Sequence, residues 1–130
     1  MRFGLQIETD WQVDAFGRML AVARLAEKLG FESVWYEDHF SLLECMTTLA
    51  ALAASTRKVR LGALVVGVPY RNPALIAKMW TTLDVISAGR AMAGFGAGWN
   101  EQEFNAYGYE FGYVGSGWTP WRTPYVSPTG

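Results

Sequence analysis

Strand-like and helix-like stretches alternate about three and a half times along residues 2–104, and this alternation restricts the chain to a parallel sheet with helices packed outside it. Residues 2–8 alternate as a short strand, and residues 14–29 then place Phe16, Met19, Leu20, Ala23 and Ala26 at helical spacing. Gly30 falls where a left-handed helix end is expected, and residues 31–36 return to a β-rich run. The Ala-, Leu- and Met-rich residues 45–55 predict a buried helix. Residues 58–68 are nearly all aliphatic, which predicts a strand covered on both faces. Asn72 before Pro73 is a good cap with proline at the first helical position. That helix is expected to run to about Ile86, with Gly89 as its stop. A glycine-containing strand over 91–96 and the loop and first turn of another helix over 98–104 complete the pattern.

An open doubly wound sheet and a closed barrel both satisfy this pattern. In either, ligands gather beyond the carboxyl ends of the strands, here Glu8, residues 37–39, residues 66–71 and residues 96–101. Eleven Lys and Arg against 12 Asp and Glu give a net charge of −1, so nothing draws the chain to nucleic acid or to an anionic membrane. With 51% hydrophobic residues the chain is expected to fold around a real core. The single Cys45 forms no internal disulfide and has no metal-ligand spacing around it, so no metal is expected and a reducing, cytoplasmic setting fits. The first eight residues reach an acid before a signal-peptide core could form, and no apolar run approaches the roughly 18 residues of a membrane span. A soluble, unexported protein is expected.

Residues 113–130 have no period of 2 or 3.6 and carry helix-blocking prolines, so they are expected to be an irregular tail after a domain over 1–112. Written with GC-rich codons and regrouped from each codon's third base, residues 116–129 give an amphipathic pattern with apolar positions at i, i+3 and i+7. The tail is therefore expected to be a shifted reading frame.

Six ordered motifs carry a resemblance. They are Glu37-Asp38-His39-Phe40, residues 47–53, Arg60-Leu61-Gly62, Tyr70-Arg71-Asn72-Pro73-Ala74, residues 84–90 and Gly96-Ala97-Gly98-Trp99-Asn100-Glu101. Together they resemble the luciferase-like monooxygenases, flavin- and deazaflavin-dependent oxidoreductases built as TIM (β/α)₈ barrels of at least about twice this length. The resemblance implies the N-terminal half of such a barrel. It implies coenzyme F-420 (an 8-hydroxy-5-deazaflavin) or flavin mononucleotide (FMN) as cofactor and a small-molecule substrate. It places Asp38 and His39 beside the reactive ring, His39 as acid/base or as the group that stabilises a transient intermediate. It places a bulge with a non-prolyl cis peptide at Leu64-Val65 behind the ring; Gly96, Ala97 and Gly98, just before a helix start, can cradle the cofactor's phosphate. The sugar dehydrogenase branch has Thr and Glu where this chain has Ala97 and Trp99, which argues against that activity.

Plainer readings stand beside these. His39 can be a solvated loop histidine with Asp38 as a helix N-cap. The run Gly94-Phe95-Gly96-Ala97-Gly98 lacks dinucleotide-fingerprint spacing and can be a strand that needs close backbone approach. Arg71 can meet a phosphate or carboxylate and is as often a surface ion-pair partner, Met79 and Trp80 read as packing, and Glu101 and Glu103 as charges that suit a helix N-terminus. At the level of function, an oxidoreductase competes with a catalytically silent half-barrel that pairs its open edges with another copy, and with a non-flavin α/β binding domain. Either barrel reading predicts a homo-oligomer.

Overall fold

The computed structural model describes residues 1–9 and 12–112. Strands β1 (Gly4–Gln6), β2 (Ser33–Tyr36) and β3 (Arg60–Ala63) alternate with helices α1 (Ala15–Leu29) and α2 (Cys45–Ser55). After them come β4 (Val66–Gly67), a 3-10 turn (Val68–Tyr70), α3 (Pro73–Ser87), β5 (Ala91–Met92), β6 (Phe95–Gly96) and α4 (Glu101–Tyr107). The main sheet among the described residues has the order β1-β2-β3-β5, every pair parallel. Each βα unit therefore lies beside the one before it. A doubly wound sheet reverses direction at a switch point, whereas a barrel adds strands in chain order. The order selects the barrel, and the chain forms its opening units.

The third and fourth strands are broken where the sequence predicts continuous runs. After β3 the Leu64 amide still donates to Tyr36 at 2.9 Å, but the Leu64-Val65 peptide is cis and turns the chain away from β2. Pairing resumes with β4 against β6, anchored by the Val66 amide on the Gly94 carbonyl at 2.9 Å. The expectation that residues 58–68 are covered on both faces fails at this point. Leu64 and Val65 keep 48% and 37% of their surface exposed.

The helices close the other side of the sheet. Met19, Ala23 and Ala26 of α1, Leu49, Leu52 and Ala53 of α2, and Ile76, Trp80 and Leu83 of α3 pack with Val34, Tyr36, Leu61 and Val66. Each fully buried Leu or Val there is worth roughly 1.5–3 kcal/mol relative to exposure. Met79 and Trp80 serve packing, as their spacing predicts. The cap of α2 is Glu44, whose carboxylate accepts the Met46 and Thr47 amides, so Asp38 is not the cap. Asn72 caps α3 from Ala74, and the helix ends at Ala88 in the left-handed region, one residue before Gly89.

Two side chains fasten the amino-terminal end of the sheet. Glu27, near the end of α1, accepts the Arg57, Lys58 and Val59 amides on one carboxylate oxygen at 2.8, 2.6 and 3.0 Å. Burial opposes its charge, but the three amides prevail and hold its carboxyl below the usual range. Arg90 donates to the Ala53, Thr56, Val59 and Ser87 carbonyls and to the Thr56 hydroxyl, tying the end of α2 to the end of α3. No described helix is long and apolar enough to cross a membrane. The expected tail, 113–130, lies outside the described residues.

Candidate active site

Beyond the carboxyl ends of the strands lies a cavity of about 340 Å³, within the range of roughly 300–1,000 Å³ typical of small-molecule sites. It brings together all seven residues singled out in the sequence: Asp38, His39, Leu64, Val65, Gly96, Ala97 and Gly98. It also draws in Glu37, Tyr70, Trp99 and Glu103. On one side the cis peptide presents Leu64 and Val65 as an aliphatic ledge. The fourth-strand loop runs close against it, since a Cβ added at Gly96 would collide with the Val65 side chain. At Gly98, where φ is +78°, an added Cβ would stand 2.6 Å from the Phe104 ring. These glycines are needed for both close approach and backbone conformation.

His39 follows β2 and lines the same cavity as the ledge. Its Nδ1 lies 2.5 Å from Glu103 Oε1, and the Tyr70 hydroxyl donates to Glu103 Oε2 at 2.9 Å. Glu103 is only 3% exposed, so it is no surface charge serving the helix end. Burial, and then the bond to Glu103, raise the Tyr70 pKa, so its hydroxyl stays protonated and donates. Trp99 meets the imidazole edge to face, with ring centres 6.2 Å apart. Sequence reasoning missed Tyr70 and misjudged Glu103. Glu103 stands three residues after the cap Asn100, where a glutamate ordinarily completes a capping box, and nothing local shows it turning inward. The one available signal was its neighbour Phe104, which places that face of α4 against the core.

Asp38 is engaged differently. Arg71 binds it through two guanidinium bonds of 2.5 and 2.8 Å, and the Gly67 amide adds a third at 3.0 Å. Arg71 also reaches Glu44 at 2.7 Å. Burial alone would lower the Arg71 pKa, but the bonds to Asp38 and Glu44 raise it. Of the two readings of Arg71, contact with a carboxylate holds, and the ion pair it makes with Asp38 is enclosed rather than on the surface. The pair is mostly enclosed and holds the 3-10 turn to the end of β2. Among the described residues, no group of three or more His, Cys, Asp or Glu could hold a metal ion. Cys45 is free and buried, and burial pushes its thiol pKa up, so it stays unreactive.

Fold and site together define a βα-barrel segment with an aliphatic ledge, a glycine loop and an oriented imidazole at the catalytic end. The chain belongs to the luciferase-like monooxygenase family, whose profile matches residues 1–125. It is 35% identical over 108 residues to a 5,10-methylenetetrahydromethanopterin reductase of Methanolobus tindarius, covering 83% of this chain and 32% of that protein. Monooxygenase RslO1 from Streptomyces bottropensis superposes with a TM-score of 0.78 at 32% identity, over 85% of this chain and 37% of that one. The coenzyme F420-dependent tetrahydromethanopterin reductase from Methanopyrus kandleri gives a TM-score of 0.74 at 32% identity, over 85% of this chain and 30% of that one. The chain thus spans about a third of the length of the relatives it matches.

Proposed function

We propose that this chain carries the ring-facing part of a flavin- or deazaflavin-dependent oxidoreductase site, taking coenzyme F-420 or FMN together with a small-molecule substrate. The observation that carries the reading is the exposed Leu64-Val65 ledge. Two large aliphatic side chains stand in the open beyond the end of β3, in the cavity that His39 also lines. A flat ring laid on them would bury that surface and meet the Gly96, Ala97 and Gly98 backbone at its edge. When bound, the ring supplies the hydride or oxygen chemistry. The chain's own share is orientation by the ledge and loop, exclusion of water by Trp99, and proton handling at His39. Asp38, held by Arg71, keeps the strand end that carries His39 in place. Among the described residues that line the cavity, Leu64, Val65 and the glycine loop offer contacts to a ring. The relatives named as F420-dependent support the deazaflavin as the first cofactor to test.

A second reading rests on the sheet edges. Among the described strands β1 and β5 each pair on one side only, which leaves two edges open to a further copy. In this reading the chain is a silent half-barrel that self-associates. Homo-oligomerisation belongs to both readings, and a folded monomer in sedimentation would remove it. We further take residues 1–112 as the domain and the protein as soluble and cytoplasmic.

One titration separates the readings. Coenzyme F-420 and FMN are added in turn and followed by ring fluorescence, on the native chain and on His39→Ala. Saturable quenching that weakens in the variant supports the oxidoreductase site. Equal affinities would remove His39 from it, and no binding of either cofactor would leave the silent half-barrel.

A further inference from the structure

Three side chains from separate elements meet at one buried carboxylate. Glu103 comes from α4, His39 from the end of β2, and Tyr70 from the 3-10 turn. An ionised carboxylate only accepts hydrogen bonds. Tyr70 fills Oε2 with its hydroxyl proton, so Oε1 is left to accept from the imidazole, and the atom it meets is Nδ1. A neutral imidazole carries one proton, and here it is drawn to Nδ1, although the free side chain in water favours Nε2–H. The lone pair then sits on Nε2.

The surroundings of Nε2 agree with this placement. Glu37 Oε2 stands 3.7 Å away, beyond hydrogen-bonding reach. The other Glu37 oxygen already accepts from Gln6 at 2.5 Å. Asp38, the remaining carboxylate beside the ring, is taken up by Arg71. Trp99 meets the imidazole in a T-shaped contact, and its indole nitrogen is a donor only.

We propose that Glu103, steadied by Tyr70, is the positioning residue that fixes His39 as the Nδ1–H tautomer and makes Nε2 the nitrogen that exchanges a proton with the bound molecule. The step balances without a further reagent. An O–H group brought against Nε2 gives up its proton, an N–H bond forms there, and the electron pair of the broken bond stays on oxygen. The imidazolium so formed keeps its Nδ1–H on Glu103, whose negative charge offsets it. What is brought into the cavity rests on the function proposed above; the tautomer does not.

His39 is the chain's sole histidine, so labelling with ¹⁵N-histidine gives two ring resonances that need no assignment by mutation. Spectra are taken without ligand, at a pH where the ring is neutral. The native chain should show Nδ1 protonated and Nε2 unprotonated as the dominant form. Glu103→Met removes the acceptor while keeping the length of the side chain, and Nε2–H should become the major form. Tyr70→Phe keeps Glu103 and should keep the native tautomer. A native spectrum dominated by Nε2–H would overturn the proposal, as would an unchanged tautomer in a folded Glu103→Met chain. Should Glu103→Met fail to fold, the native chain and Tyr70→Phe still decide it. The cofactor titration fails or succeeds separately, because none of these spectra contains a ligand.

Discussion

The pair formed by Asp38 and Arg71 offers the sharpest quantitative test, because an exposed pair and an enclosed pair differ several-fold in energy. Its side chains keep 5% and 14% of their surface, and two guanidinium bonds join them. Hydrogen bonds to charged groups contribute about 1.5–3 kcal/mol each, and desolvation takes back part of that sum. A coupling of about 2–4 kcal/mol is the expected remainder, against roughly 0.2–1 kcal/mol for an exposed pair. The assay is a double-mutant cycle of Asp38→Asn and Arg71→Met, with all four proteins unfolded in urea and followed by circular dichroism. Arg71→Met alone should cost about 3–5 kcal/mol, since it leaves Asp38 enclosed with only the Gly67 amide as partner. The double variant should cost much less than the sum of the singles. A coupling below about 0.5 kcal/mol would show that solvent screens the pair, and Arg71 would return to the surface role its sequence context suggests.

Glu27→Gln should destabilise the chain by about 1 kcal/mol, a figure kept low because the carboxylate is only partly enclosed. The folded chain holds this carboxyl below its usual range, so its contribution is complete above that range and is lost as pH falls through the lowered value. Thermal melts of variant and native chain should therefore converge in acid, and a gap that widens there would contradict the three-amide arrangement. Leu64→Ala should change stability by less than about 0.5 kcal/mol, since Leu64 is exposed, yet weaken cofactor binding several-fold in the fluorescence titration. Unchanged affinity would remove the ledge from the site. Gly98→Ala should cost at least about 1 kcal/mol in urea, from the positive φ and the approach of Phe104; a neutral result would refute the described loop geometry.

Helices were legible in the sequence because their signals are local. The spacing of Phe16, Met19, Ala23 and Ala26 sets the inner face of α1, and Asn72-Pro73 sets the start of α3. Alternation alone fits two topologies and left the strand order open; the family resemblance implied the barrel, and the strand pairing bears it out. Aliphatic content misled at residues 64–65, where a run that reads as buried strand is opened toward the cavity by the cis peptide. That bond was placed by the family resemblance rather than by residue chemistry. Within the site, the cluster at residues 37–39 stood out because titratable groups gather at a strand end. Glu103 and Arg71 did not, because both sit at helix starts where charge has an ordinary explanation. His39 and Asp38, the partners that reveal them, lie more than thirty residues away in the chain.

The stepwise strand order also bears on how the protein is made. Strands β2, β3 and β5 each pair with a segment about 30 residues earlier in the chain. A ribosome adding about 5–20 residues per second delivers that length in roughly two to six seconds. Helices form in about a microsecond, far inside that interval. Every new strand of this sheet therefore emerges to find its partner already synthesised, with its helix formed. The main sheet can assemble from its first strand onward during translation, one unit at a time, and β2, β3 and β5 each gain a first row of hydrogen bonds from a strand already made.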